Sequence, residues 1–324
     1  MSGVWHSPFH ADAWQGRTDV DPAGYTGRWH QVVTPVPADG MVGGATLVGF
    51  ACDAGVRRNH GRPGAAQGPM ALRKALSNVA LPVPYSLFDA GDVICADDSL
   101  EEAQARYAAI VRDLLDRRSF PVGLGGGHEI AWGTWTGLAD HLASRSDTPR
   151  IGVLNLDAHL DLRDGPVATS GTPFRQIAED CARRGWPFHY ACFGASRFAN
   201  TAALFGRAEW LDATVLLDED MGVLDRESVI EKLFLFLDEV DHVYLTFCLD
   251  VLPPDLAPGV SAPSARGVAL EITESIVLNT AVSGKLRAAD VAELNPTFDS
   301  DQRTARVASR IVAGLVTRRL GTRR

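Results

Sequence analysis

The feature that most restricts the fold of this chain is the alternation of short apolar, β-rich runs with helical patterns. The runs occupy 46–51, 120–124, 151–156, 189–193, 213–217, 243–251 and 286–292. Helical periodicity lies between them, most clearly over 68–79, 100–118, 131–145, 225–238 and 301–318. A strand that is apolar at nearly every position must be covered on both faces, and strands that alternate with helices pair in parallel. The pattern predicts an α/β fold with a mostly parallel central sheet. Residues 1–42 are rich in Trp, His, Pro and Gly and show no clear period; they read as an N-terminal extension packed over a single domain covering 43–324. In open parallel sheets ligands bind outside the carboxyl ends of the strands, so the residues just after each run are where chemistry is expected.

Composition excludes several classes. A hydrophobic content of 46% over 324 residues is ample for a large core. The net charge of −9 gives no basic face for a nucleic acid. The basic residues Arg318, Arg319, Arg323 and Arg324 are too few to hold a polyanion and read as a solvated tail. No apolar run approaches the ~20 residues that span a bilayer. Trp5, His6, His10, Asp12 and Trp14 leave no room for the apolar core of a signal peptide. Cys52, Cys95, Cys181, Cys192 and Cys248 are scattered and odd in number, which points to a reducing cytoplasm rather than a disulfide framework.

Three segments carry chemistry. Asn155-Leu156-Asp157-Ala158-His159-Leu160-Asp161 follows the run 151–156. If extended geometry continues, Asp157, His159 and Asp161 project to one side. Two carboxylates and an imidazole there suit a divalent metal, although a polar loop capping the next helix would use the same residue types. Gly125-Gly126-Gly127-His128-Glu129 permits a tight turn and close backbone approach, either as part of a site or as a strand-to-helix connection. In Thr246-Phe247-Cys248-Leu249-Asp250-Val251-Leu252-Pro253, the side chains of Thr246, Cys248 and Asp250 share one face of the expected strand. A carboxylate at the end of a buried strand needs a partner, whether a metal, a helix cap or an ion pair.

Together, and in this order, the three segments resemble the arginase-type ureohydrolases, which carry a Gly-rich turn ending in His, an Asp-Ala-His-x-Asp segment and a Ser-x-Asp-x-Asp segment before a Pro. Glu293-Leu294-Asn295-Pro296 with Asp299 and Thr304-Ala305 matches a fourth block, so the resemblance runs from about residue 45 to the C-terminus. Gly49-Phe50-Ala51-Cys52-Asp53, Ser170-Gly171-Thr172-Pro173-Phe174, Tyr190-Ala191-Cys192-Phe193-Gly194 and Leu252-Pro253 look like the formimidoylglutamase branch. The resemblance implies a three-layer α/β/α fold with two manganese ions per subunit. The implied ligands are His128, Asp157, His159, Asp161, Cys248 and Asp250. The implied reaction is hydrolysis of N-formimidoyl-L-glutamate to L-glutamate and formamide, a step of histidine breakdown, by a hydroxide held between the metals. Asp161 would relay the proton and Glu293 would face the amidinium. A small anionic substrate, a homo-oligomer and no membrane or nucleic-acid partner complete the expectation.

The sequence departs from the pattern at Cys248, which stands where the family has a bridging Asp. Thiolate suits softer ions than manganese, so the second metal site is the one this residue puts in question. At Ser170 many other branches carry a His, which argues against arginase. Arg163, Ser170 and Arg197 are the expected substrate-binding residues. Arginine is the best bidentate partner for the two carboxylates of the substrate, while an exposed ion pair remains the alternative for each. Rival readings are agmatinase or guanidinobutyrase, which would need an acidic pocket, a zinc deacetylase-like hydrolase, and a metal-impaired homologue with a binding role.

Overall fold

The computed structural model describes residues 3–321; Arg323 and Arg324 of the basic tail lie outside the described residues. The strands are β1 (Val4–Ser7), β2 (Val33–Pro35), β3 (Ala45–Ala51), β4 (Leu87–Cys95), β5 (Phe120–Leu124), β6 (Ile151–Leu156), β7 (His189–Ala195), β8 (Thr214–Leu217), β9 (His242–Cys248) and β10 (Leu286–Ala292). They form one sheet in the order β1-β4-β3-β5-β10-β9-β6-β7-β8, with β2 also paired to β4. Among the described strands, the β1–β4 pair alone is antiparallel. The helices are α1 (Trp29–Val32), α2 (Ala54–Arg58), α3 (Gly68–Ser77), α4 (Leu100–Asp116), α5 (Ile130–Ala143), α6 (Pro173–Arg184), α7 (Ala202–Trp210), α8 (Arg226–Asp238), α9 (Leu270–Val282) and α10 (Arg303–Gly321).

Successive side chains of a strand point to opposite faces, and here each face meets its own helical layer. Leu154, Leu156, Leu245 and Phe247 join a core with α3, α8, α9 and α10. Val153, Tyr244 and Val48 join a second core with α4, α5, α6 and α7. This is the three-layer α/β/α arrangement.

The interior of the sheet follows the apolar runs closely, and the edge does not. β4 carries Asp89, Gly91 and Asp92 inside it, which breaks the apolar pattern that marks a buried strand. The two carboxylates are tolerated because the fully buried Arg73 of α3 donates to both, at 2.8 and 2.9 Å to Asp89 and 2.6 Å to Asp92. Gly91 has φ 78°, and a Cβ there would lie 2.0 Å from the Ser7 carbonyl, so β1 can dock only on a glycine. Short segments of residues 1–42 thus add β1 and β2 to the sheet rather than only packing over it. The run read as a strand to residue 251 stops at Cys248 and turns into a single 3-10 turn over Leu249–Val251.

Four neighbouring central strands, β5, β10, β9 and β6, end on the same edge of the sheet. Each is followed directly by one of the sequence motifs.

Candidate metal centre

After β5 the chain must turn against the end of β3. The amides of Gly126 and Gly127 donate to the carbonyls of Phe50 and Cys52 at 2.8 and 3.0 Å. A Cβ on Gly126 would lie 1.8 Å from the Cys52 carbonyl oxygen, so this position admits only glycine. The turn delivers His128, which is buried. Its Nε2 is 3.0 Å from the Thr246 hydroxyl on β9. Nε2–H donated there leaves the Nδ1 lone pair facing inward.

After β6 the chain does not continue extended. Asp161 has φ 45°, a left-handed conformation uncommon outside glycine. The loop is stapled by Asn200, whose Oδ1 accepts from the Leu160 amide and whose Nδ2 donates to the Ala158 carbonyl, both at 2.9 Å. Asp157 Oδ1 accepts from the His159 amide at 2.8 Å, and Oδ2 accepts from Asn155 Nδ2 at 3.2 Å. Asp250 comes from the 3-10 turn after β9. Glu293 follows β10 with φ 72°, its own amide donating to the Gly126 carbonyl at 2.8 Å. The convergence of these side chains is therefore the work of turns, not of strand alternation.

His128 Nδ1 lies 2.9 Å from Asp157 Oδ2 and 3.0 Å from Asp161 Oδ2. His159 Nδ1 lies 3.1 Å from Asp250 Oδ2 and 3.4 Å from Asp157 Oδ1. Two overlapping donor groups result, each with ligand atoms within 4.8 Å of one another: His128, Asp157 and Cys248, and Asp157, His159 and Asp250. Buried His128 Nδ1 has no hydrogen bond despite its two close carboxylates, and buried Glu293 Oε2 also has none. Glu293 Oε1 accepts from the His128 amide at 2.9 Å. An imidazole lone pair aimed between carboxylate oxygens, without hydrogen-bond geometry, fits a divalent cation shared among them. The oxygen and nitrogen donors suit a hard or borderline ion.

Burial pushes the Asp250 carboxyl up to about 6, reinforced by Asp157. Burial likewise raises Glu293 to about 8, with Glu129 and Asp250 adding to it. Asp161 is raised by burial and by Asp157. Burial works against protonating His128 and His159, yet the facing carboxylates hold both well above the ordinary imidazole range. The cluster thus holds more carboxylates than its own imidazoles neutralise comfortably, the electrostatic signature of a cation site.

These groups open into a cavity of about 280 Å³. His128, His159, Asp161, Cys248, Asp250 and Glu293 line its inner part, and Arg163, Ser170, Asn59, His60, Arg62, Asn200, Ser261 and Ala262 are among the rest. Asp157 is fully buried beneath the lining.

Residues 44–317 match the model of the arginase family. The chain belongs to the arginase family. It is 57% identical over 313 residues to the formimidoylglutamase of Ralstonia nicotianae, covering 96% of each chain. The crystal structure of formimidoylglutamase from Bacillus subtilis superposes with a TM-score of 0.80 over 94% of each chain; at 21% identity that likeness speaks for the fold. The crystal structure of Trypanosoma cruzi formiminoglutamase with Mn2+2 has a TM-score of 0.74 and 27% identity, covering 86% of this chain and 93% of that one.

Within this arginase-family site, Cys248 is buried and its sulfur belongs to the first donor group. Burial, together with Asp157, keeps its thiol well above the usual range. The structure does not bring Arg197 to the cavity. Its Nε donates to Glu219 at 2.8 Å on a half-exposed surface, so the neighbouring carboxylate takes it away from the expected role. Arg163 and Ser170 do reach the lining. Asn200, Arg62 and Ser261 were not legible as site residues, because each comes from a loop outside the four motifs. In the sequence Glu129 reads only as part of its turn. Its Oε1 accepts from the Gly55 amide at 2.7 Å, tying the His128 turn to α2.

Proposed function

We propose that this chain hydrolyses the amidine C–N bond of N-formimidoyl-L-glutamate, giving L-glutamate and formamide, as a step of histidine breakdown in the cytoplasm. The observation that carries the reading is the polarity of the cavity. Its floor is acidic, with Asp161, Asp250 and the unpartnered Glu293 Oε2, and its rim carries Arg163 without a carboxylate partner among the described residues. A substrate with a cationic amidinium and anionic carboxylates matches both ends. An agmatine-like cationic tail would meet the rim arginine unfavourably. The high identity to a protein named formimidoylglutamase supports the same choice.

In this reading His128, Asp157 and Asp161 would hold one manganese ion and Asp157, His159 and Asp250 a second, with Cys248 beside the first. When bound, such ions act as Lewis acids and acidify the attacking water. Asp161 orients that water and relays its proton towards the leaving nitrogen. Glu293, anchored through Oε1 to the His128 amide, uses Oε2 to hold the amidinium carbon in line for attack. Arg163 binds a carboxylate, with Ser170 beside it on the lining. Assembly as a homo-oligomer belongs to the same reading, supported by the exposed apolar side chains of Leu224, Phe234 and Leu235; sedimentation of the purified protein tests it.

The deciding experiment measures glutamate and formamide release by manganese-loaded protein from formimidoylglutamate, beside agmatine, arginine and formylglutamate. Turnover of agmatine or arginine at an equal or higher kcat/KM contradicts the proposal. A second reading, a metal-impaired homologue with a binding role, is favoured by one observation, the buried sulfur of Cys248 within the first donor group. It predicts no turnover of any of the four compounds and weak retention of the ion beside Cys248.

A further inference from the structure

Two guanidiniums border the cavity, Arg163 and Arg62, and neither has a carboxylate partner among the described residues. This is not the habit of the surrounding surface. Arg57 pairs with Asp53, Arg58 with Asp98 and Glu101, Arg197 with Glu219, and Arg207 with Asp164. Arg163 and Arg62, which line the cavity, differ in this from these four neighbours.

Arg62 is also held in place. Its Nε donates to the Ser261 carbonyl at 2.9 Å, its Nη2 donates to the Val260 carbonyl, and the group stacks over the Phe298 ring at 4.0 Å from the centroid. Its backbone amide donates to Ser261 Oγ at 3.0 Å. Nη1 has no partner among the described residues. A guanidinium fixed in this way gives up little rotamer freedom on meeting an anion, so most of the interaction appears as affinity. The carbonyls fix its position without neutralising its charge.

The two arginines stand on different walls. Arg163 follows β6, where a Cβ on Gly171 would come within 2.7 Å of its Cδ. The partners of Arg62 follow β9 and β10. β6 neighbours β9 and β9 neighbours β10 in the sheet, so both arginines are held at the edge that carries the acidic floor, by loops after different strands. A ligand with one carboxylate needs one such group; two separated, uncompensated guanidiniums fit a dicarboxylate.

We propose that Arg62 is a specificity-determining residue whose free Nη1 binds whichever of the substrate's two carboxylates Arg163 does not. The assignment rests on the functional reading given above and deepens it, making the site selective for a dicarboxylate amidine.

The test compares wild type, Arg62→Met and Arg163→Met, all manganese-loaded, on three substrates: N-formimidoyl-L-glutamate, N-formimidoyl-L-2-aminobutyrate, which lacks the side-chain carboxylate, and 4-(formimidoylamino)butyrate, which lacks the α-carboxylate. Loss of one charge-assisted hydrogen bond corresponds to about 10- to 100-fold. Arg62→Met is expected to lose that much in kcat/KM on formimidoylglutamate, mainly through KM, and nothing on one truncated substrate. Arg163→Met is expected to lose nothing on the other truncated substrate. An equal loss on all three substrates assigns Arg62 a structural role and overturns the proposal. So does the absence of any loss, or both penalties vanishing on the same analogue. Calorimetric binding of L-glutamate to the folded variants reads the same contact without turnover: Arg62→Met should bind it about 10- to 100-fold more weakly, and unchanged affinity overturns the assignment. If wild type does not turn over formimidoylglutamate at all, the functional reading fails and takes this assignment with it; intact wild-type turnover with a uniform variant penalty sinks this assignment alone.

Discussion

Replacing Glu293 by Gln isolates one charge with little change of shape. The amide oxygen of Gln can still accept from the His128 amide, so the 2.9 Å contact that orders the metal-ligand turn is preserved. What disappears is the negative charge at Oε2, which is buried and has no hydrogen-bond partner. In the metal-free protein this carboxyl is pushed up to about 8, first by burial and then by Glu129 and Asp250, so at neutral pH it is mostly protonated. Cations beside it, whether a bound metal or an amidinium, draw it down and restore its charge. A hydrogen bond to a charged group contributes about 1.5–3 kcal/mol. The loss should therefore be about 10- to 100-fold in kcat/KM, falling on both kcat and KM because the contact orients the reacting group. The assay is steady-state kinetics on formimidoylglutamate with metal content measured on the same sample. Wild-type kinetics would refute the role of Glu293, and loss of metal would reassign it as a ligand.

Cys248→Asp places an oxygen donor where a buried sulfur now joins His128 and Asp157; manganese affinity and manganese-dependent activity should both rise, because manganese prefers oxygen. Unchanged titrations with manganese, zinc and iron would place the sulfur outside the coordination sphere. Metal uptake should weaken as pH falls through about 6, the value to which burial raises Asp250, since the proton must leave before an ion binds; the expected slope is about tenfold per pH unit for each proton displaced, and a flat profile from pH 5 to 8 would contradict it. Arg73→Met leaves Asp89 and Asp92 buried without their cation, so denaturant unfolding should show about 3–5 kcal/mol of lost stability. A loss under about 1 kcal/mol would mean that those carboxylates find other partners, such as Trp14 and His10.

The central sheet and the motifs at its carboxyl edge were legible because both are local. A buried parallel strand must be apolar along its length, so β5, β6, β9 and β10 announce themselves, and metal-ligand chemistry demands Asp and His immediately after them. The edge was not legible, because β4 hides its carboxylates on Arg73, a residue of α3 that sequence spacing does not connect to it. Helix α9 was missed for a related reason: Ile272, Ile276 and Val277 are buried along with Thr273, Ser275 and Thr280, so its polar and apolar positions do not separate into faces.

At the site, sequence determined which residue types converge and on which edge, since each motif is fixed to the end of its own strand. Only the tertiary structure decided how they meet. Strand alternation was expected to align Asp157 with Asp161 and Cys248 with Asp250, yet both strands end early. The alignment comes instead from the Asn200 staple, the left-handed backbone at Asp161 and Glu293, and a 3-10 turn. Tertiary structure also sorted the arginines. A guanidinium reads the same in sequence wherever it lies, and whether it is neutralised depends on which carboxylate folds next to it. Glu219 claims Arg197, whereas Ser261 and Val260 position Arg62 through neutral carbonyls and leave its charge facing the cavity.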